Sequence, residues 1–358
     1  MLNLHNLIDH IRHEERMPEV IAERCVHSNV EIASCLSCAD ICPTNAWSLD
    51  DHALLIDTSV CDGCGLCAST CPEGAIQSRQ EILIGEWNST PIALCACEKN
   101  NLPRHQGIIS CIHIITIQDI LSLYHKGIRT WKVATADCDN CQRGCAEHLS
   151  KKLASINRSL NNVNRIGVTH HRLNIIEWQR IREGLIEKNA GPTLSRRGFL
   201  RGVVNAGLQC STSTIKLFHQ SQETFSPPGK LLPNRGASSL WPFQPVIDPS
   251  KCNGCDACTR LCPHQAIRLQ VIKENTSYKL IPESCSGCGI CTDVCEQEAI
   301  RVTGWEKQKQ LEVRLRRNIC SSCGNPFHLP IESAAGTDIQ CRICEQTNHH
   351  KNLYQVLS

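Results

Sequence analysis

Four short segments of this chain repeat one pattern: a cysteine, three residues, an alanine and a large apolar side chain. They are Cys42-Pro-Thr-Asn-Ala-Trp47, Cys71-Pro-Glu-Gly-Ala-Ile76, Cys262-Pro-His-Gln-Ala-Ile267 and Cys295-Glu-Gln-Glu-Ala-Ile300. Each closes a run of closely spaced cysteines, and a β-like stretch separates the two members of each pair, over 49–56 in the first and 267–281 in the second. The repeating unit is a cysteine loop, one helical turn and a strand. Two units make one small module, and the chain holds two modules. With 27 cysteines in 358 residues and only 4% aromatics, such a chain cannot build several large apolar cores. Its modules need covalent or metal staples.

Disulfides, zinc and iron–sulfur clusters are the available staples. Disulfides belong to oxidising compartments, and the stretch from Met1 to His10 lacks a basic region followed by an apolar run. No apolar run is long enough to span a bilayer. A reducing, cytoplasmic setting is therefore expected, including one beside a membrane-bound partner, and there cysteine clusters read as metal sites. Zinc favours two separated pairs, whereas these runs are tight and mostly followed by proline. The formal charge of +2 misleads once metals bind. A [4Fe–4S]²⁺ core on four thiolates carries −2, as does Zn²⁺ on four thiolates, so four clusters and one zinc shift the total to about −8. An acidic holoprotein argues against nucleic-acid binding.

Cys252-x2-Cys255-x2-Cys258-x3-Cys262-Pro and Cys285-x2-Cys288-x2-Cys291-x3-Cys295 resemble the bacterial dicluster ferredoxins. The resemblance implies that each motif's first three cysteines and the other motif's fourth hold one [4Fe–4S] cluster. One set is then Cys252, Cys255, Cys258 and Cys295; the other is Cys285, Cys288, Cys291 and Cys262. Glu296 stands where proline usually follows. The first module pairs the complete Cys61-x2-Cys64-x2-Cys67-x3-Cys71-Pro with Cys25-x9-Cys35-x2-Cys38-x3-Cys42-Pro, whose first gap is expanded. The same resemblance assigns Cys25, Cys35, Cys38 and Cys71 to one cluster and Cys61, Cys64, Cys67 and Cys42 to the other. Without Cys25 the former becomes a three-cysteine [3Fe–4S] site.

Between the modules, Pro91 to Leu94 reads as a strand ending at Cys95 and Cys97. Gly107 to Ser110 reads as a strand ending at Cys111, and Thr130 to Thr135 as one leading to Cys138, Cys141 and Cys145. A helix over Ile117 to Tyr124 is stopped by Gly127. All these cysteines fall at or after the carboxyl ends of strands, where open α/β sheets bind ligands; the alternative is a set of buried, inert thiols. The stretch from Ile109 to Cys141 resembles the delta subunit of the methyl-viologen-reducing hydrogenase family. That resemblance implies a [2Fe–2S] cluster, taken here on Cys95, Cys111, Cys138 and Cys141, although Cys138 and Cys141 are closer than the family's spacing. It leaves the choices between Cys95 and Cys97, and between Cys141 and Cys145, open.

Residues 179–245 read as a linker punctuated by Gly191-Pro192, Pro227-Pro228-Gly229 and Pro233. It contains Ser195-Arg-Arg-Gly-Phe-Leu-Arg201, a match to twin-arginine export signals, yet its position deep in the chain argues against export. On the residues alone, a helix capped by Ser195 remains an alternative. From Ser195-Arg-Arg through Pro227-Pro228, Trp241-Pro242 and Cys252, residues 194–300 resemble the cytoplasmic ferredoxin-type proteins encoded with periplasmic nitrate reductases. That resemblance implies a link to maturing or supplying a molybdoenzyme.

In the tail, Cys320-x2-Cys323 and Cys341-x2-Cys344 stand seventeen residues apart, the spacing of a zinc ribbon; a rubredoxin-like single iron uses the same ligands. Arg314, Arg316, Arg317 and Lys351 make this tail locally basic, a docking or solvated face. His10, His13 and Glu14, and His349-His350, read as solvated surface. Cys210 is left over as an ordinary thiol.

The expected architecture is an α+β multidomain chain. It comprises an N-terminal helix (1–24, with Leu4, Leu7, Ile8 and Ile11 on one face), a dicluster ferredoxin module (25–80), a small α/β cysteine-rich domain (90–178), the linker (179–245), a second dicluster ferredoxin module (246–303) and a zinc-ribbon-like tail (304–358). No nucleotide loop, flavin fingerprint or Ser/His/Asp arrangement is present, so no catalytic residues are assigned. The expected role is single-electron relay through four [4Fe–4S] clusters to a redox partner of the formate dehydrogenase, hydrogenase or nitrate reductase type. The alternative is a maturation or docking factor for a molybdoenzyme.

Overall fold

The computed structural model describes residues 17–49, 54–78, 80–100, 102, 106–143, 148–187, 213–216, 225–233, 238–273, 275–333 and 339–347. The apolar face at Leu4, Leu7, Ile8 and Ile11, the groups at His10–Glu14 and His349-His350, the twin-arginine segment, Lys351, Cys145 and Cys210 lie outside these residues. The chain divides into two compact units, Met1–Asn29 with Leu36–Phe225, and Val30–Cys35 with Ser226–Ser358.

The first unit opens with four short strands, β1 (Glu19–Val20), β2 (Trp47–Leu49), β3 (Leu54–Ile56) and β4 (Ile76–Gln77). β1 pairs antiparallel with β4, and β2 with β3. The expected N-terminal helix is corrected at its end: residues 19–20 are extended and 22–24 form one 3₁₀ turn. Here Glu19 and Val20 pair with Gln77 and Ile76 of β4, which satisfies backbone groups of that strand. Helices Ser37–Asp40 and Leu66–Thr70 are single turns between cysteines.

An α/β domain follows. Its strands are β5 (Glu81–Trp87), β6 (Thr90–Cys97), β7 (Ile108–Ile109), β8 (Thr130–Ala134), β9 (Thr169–Leu173) and β10 (Ser213–Lys216), in the order β10-β5-β6-β8-β9 with β7 beside β6. β5 and β10 are antiparallel, while β6, β7, β8 and β9 run parallel. The last six residues of β6 are all buried, as befits a central strand covered on both faces. Helix Ile117–His125 starts with a capping box, Thr116 and Asp119 each bonding the other's backbone N–H, and ends before Gly127. Helix Ile175–Glu187 crosses the boundary expected at 178. Its Trp178, Ile181 and Leu185 are buried with Leu83, Ile92 and Leu94, so 179–187 belongs to this core. Trp178→Ala is expected to destabilise the unit by about 3–5 kcal/mol, read as a lower denaturation midpoint; an unchanged midpoint contradicts this packing.

The second unit contains β11 (Leu240–Trp241), β12 (Gln244–Ile247), β13 (Ile267–Ile272), β14 (Asn275–Leu280), β15 (Ile300–Thr303), β16 (Glu306–Lys307), β17 (Glu312–Ile319) and β18 (Pro326–Pro330). β12 pairs with β15 and β13 with β14, repeating the arrangement of the first module, and β11 pairs with β16. β17 adds to β14 and β18 to β17, making one four-stranded antiparallel sheet. Val313 and Leu315 of β17 pack with Ile267, Tyr278 and Leu280, so the tail's hairpin and the cysteine module share a core. Segment 30–35 is held here by Ser34, whose N–H and hydroxyl donate to the Asp293 carboxylate at 2.9 and 2.7 Å.

Candidate metal centres

The fourfold repeat has one geometry. In every copy the alanine N–H points at the cysteine sulfur four residues back: Ala46 to Cys42 at 3.3 Å, Ala75 to Cys71 at 3.2 Å, Ala266 to Cys262 at 3.1 Å and Ala299 to Cys295 at 3.3 Å. The residue before each alanine, Asn45, Gly74, Gln265 or Glu298, has a left-handed backbone that turns the chain back over the sulfur. Each alanine carbonyl accepts an N–H from the chain entering the other half, from Asp57, Ile21, Ile281 and Asp248 respectively. The alanines are buried, and the apolar residue that follows starts β2, β4, β13 or β15.

The three regular loops share a second geometry. Gly63, Gly254 and Gly287, each two residues after the first cysteine, are left-handed and donate their N–H to the sulfur of Cys61, Cys252 and Cys285. Two residues further on, Gly65, Asp256 and Gly289 are left-handed again. Backbone donors thus gather round the sulfurs, which favours the charged thiolate form. The expanded motif differs: at Leu36, between Cys35 and Cys38, φ is −118°.

In the second unit one cavity is lined by Cys252, Cys255, Cys258 and Cys295 beside Tyr278. Another is lined by Cys262, Cys285, Cys288 and Cys291. Each gathers three cysteines from one motif and the fourth from the other. Burial pushes the Cys258 thiol up, and Cys291 and Cys252 add to the shift; Cys291 rises to about 12, again chiefly by burial. Iron that binds here displaces protons the pocket otherwise retains. In the first module burial raises Cys64 to about 12. Cys67 rises by burial, with Cys64, Cys61 and Cys38 beside it, and Cys61 by burial, with Asp62 and Cys42 adding to it. Cys25 and Cys38 are buried, Cys35 and Cys71 half-buried.

A third cavity opens at the carboxyl ends of the parallel strands in the α/β domain. Cys97, Cys111, Cys138 and Cys141 line it, with His113 and Arg143. Cys97 stands there in place of the expected Cys95. It is the last residue of β6, whereas Cys95 lies two residues back, about 7 Å along the strand, fully buried and pushed up to about 12 by burial and by Cys97.

In the tail, the ligand atoms of Cys320, Cys323, Cys341 and Cys344 all lie within 4.8 Å of one another, with Cys323 Sγ 3.9 Å from Cys341 Sγ. Four sulfurs at 2.3 Å from a central ion stand about 3.8 Å apart, so this donor set fits a single tetrahedral metal. Burial opposes ionisation of Cys320, but N–H donors from Cys341, Cys323 and Ser322 outweigh it and hold the thiol well below its usual range.

Sequence reasoning missed several residues at these sites. Asp256 accepts from the Tyr278 hydroxyl at 2.7 Å and lies 2.8 Å from His328 Nε2 on β18. Burial pushes its carboxyl up, yet His328 and Tyr278 hold it below the usual carboxylate range. Arg143 had no sequence signal beyond its nearness to Cys141.

The family model described as a 4Fe-4S binding domain matches residues 54–77, 245–268 and 278–301. The three matched segments contain both regular motifs of the second unit and the regular one of the first. Among curated proteins, hydrogenase-4 component A of Escherichia coli (strain K12) is 49% identical over 41 residues, 12% of this chain and 20% of that protein. An uncharacterized ferredoxin of Methanocaldococcus jannaschii is 28% identical over 88 residues, 24% of this chain and 46% of that one. The chain therefore spans between a fifth and half of the length of these relatives. No helix among the described residues is long and apolar enough to cross a membrane.

Proposed function

We propose that this chain is an iron–sulfur electron relay. The observation that carries the reading is the pair of cavities in the second unit, each walled by three cysteines of one motif and the fourth of its neighbour. In this reading Cys252, Cys255, Cys258 and Cys295 hold one [4Fe–4S] cluster and Cys262, Cys285, Cys288 and Cys291 a second. Cys42, Cys61, Cys64 and Cys67 hold a third, and Cys25, Cys35, Cys38 and Cys71 a fourth. Cys97, Cys111, Cys138 and Cys141 take a [2Fe–2S] centre, and the tail's four cysteines take Zn²⁺. A bound cubane supplies a one-electron step with little rearrangement. The chain's own residues fix the sulfurs, exclude water and aim N–H groups at the thiolates, which sets how readily an electron is accepted.

The partner is a cytoplasmic-side oxidoreductase of the hydrogenase, formate dehydrogenase or nitrate reductase type, a reading supported by the likeness to a protein named as a hydrogenase component. Metal analysis and EPR during a dithionite titration of anaerobically purified protein test the proposal. About sixteen cubane irons that reduce reversibly are expected, with about two more that Cys111→Ser removes. Zinc alone, or iron that dithionite cannot reduce, sinks the relay and favours a maturation or docking factor. Iron content unchanged in Cys111→Ser sinks the middle centre.

A further inference from the structure

Within the first unit, one buried cation stands between two cysteine sites. The Arg143 side chain is 4% exposed; its Nε donates to Asp62 at 2.8 Å and its Nη2 to Glu98 at 2.9 Å, while Nη1 donates to the Ser110 carbonyl. Each of these groups belongs to a site. Asp62 lies between Cys61 and Gly63, and its other carboxylate oxygen accepts the Cys64 N–H at 3.0 Å. Glu98 follows Cys97, Ser110 precedes Cys111, and Arg143 itself lines the middle cavity. A second link runs parallel: the Ser110 hydroxyl donates to the Cys64 carbonyl at 2.6 Å, while Gln80 holds the Ser110 N–H at 2.9 Å. Helix Leu66–Thr70, which carries Cys67, packs on the turn Ile112–Ile114 that follows Cys111.

Burying an ion pair is weak evidence of stabilisation, because desolvation offsets the attraction. What a fixed guanidinium does at such a place is electrostatic: it remains charged at every working pH and favours whichever neighbouring state is more negative. At a thiolate-bound cluster that state is the reduced one.

We propose that Arg143 is a positioning residue that joins the middle cavity to the Cys61–Cys67 loop and raises the reduction potential of both sites, making them successive stops on one electron path. The proposal rests on the reading that both sites hold iron–sulfur clusters. In the step, one electron leaves the reduced centre at one site and enters the oxidised centre at the other. No bond is made or broken, no proton moves, and dithionite supplies the first electron in the test.

The test compares full-length wild type, Arg143→Gln and Glu98→Gln by iron content and by EPR-monitored redox titration. Iron in wild type that falls in Cys111→Ser establishes that the middle cavity is loaded; its absence overturns the underlying reading and the proposal with it. In loaded protein, Arg143→Gln is expected to weaken reduction at both sites about tenfold, about 59 mV for a one-electron couple. The centres of the second unit, an internal control, keep their potentials. Glu98→Gln is expected to shift the same two sites in the opposite direction, and it carries the test if Arg143→Gln fails to take up iron. Full iron with unchanged potentials at both sites leaves Arg143 a structural residue and overturns the proposal.

Discussion

Gly254→Ala is expected to strip about four irons from each chain and abolish the EPR signal of the site lined by Cys252, Cys255, Cys258 and Cys295. Gly254 has φ +70°, and a Cβ there would run into the carbonyl oxygen of His328. The obstacle is backbone on β18, held in register by Arg317 of β17, so no side chain can swing aside. The left-handed conformation alone costs alanine about 1–2 kcal/mol; relieving the clash requires the loop or the strand to move as well. Moving the loop breaks the N–H bond from Gly254 to Cys252 and strains the tie from Asp256 to His328 and Tyr278. Gly289→Ala provides the contrast: φ is +83°, but nothing lies within 4 Å of the added carbon. That variant is expected to keep its iron and lose about 1–2 kcal/mol of stability. Iron content in Gly254→Ala equal to that in Gly289→Ala would show that the β18 contact does not constrain the loop.

Breaking the four-cysteine site proposed to hold Zn²⁺ in the tail has the second largest expected effect. The cluster beneath this hairpin consists of Cys320, Cys341 and Cys344, with Cys323 and Phe327 packed against it. Apart from one phenylalanine ring, that core is sulfur. Structural zinc contributes about 10–16 kcal/mol of apparent binding free energy in small finger peptides at neutral pH, so the ribbon end has little to hold it without metal. Cys344→Ser is expected to lose one zinc per chain and to speed amide exchange through Cys320–Pro330. Exchange over β13 and β14 changes less, because their pairing is independent of the metal. A variant that keeps its zinc, or loses it with no change in exchange, contradicts this account; visible absorption from the wild-type site would identify iron as the occupant.

The cysteine loops were legible in the sequence because they are local. Cys-x2-Cys-x2-Cys fixes its own turn through glycines and N–H donors a few residues away, and the repeat Cys-x3-Ala-apolar carries its sulfur contact inside itself. The strand ending at Cys97 and the helix stopped by Gly127 were legible for the same reason, from a short apolar run and a glycine stop. Long-range pairing was not. Nothing within residues 81–87 announces that β5 needs β6 and β10, and the tail showed its cysteine pairs but not that β17 would extend the hairpin of the neighbouring module. Helix Ile175–Glu187 was missed although its buried Trp178, Ile181 and Leu185 keep the helical period, because the boundary drawn at 178 cut through it. The choice between Cys95 and Cys97 turned on where the strand ends, and Arg143 on three contacts distant in sequence.

Cavities walled by both halves of a module also constrain the order of biosynthesis. While the ribosome is still extending the chain, Cys252, Cys255 and Cys258 emerge as an open loop with no fourth wall, and the place for a cube exists only once Cys295 has followed. Early thiols must therefore wait, reduced and unmetallated, for later ones. Oxidised to disulfides in that interval, the first three thiols can no longer complete the four-sulfur wall when Cys295 arrives.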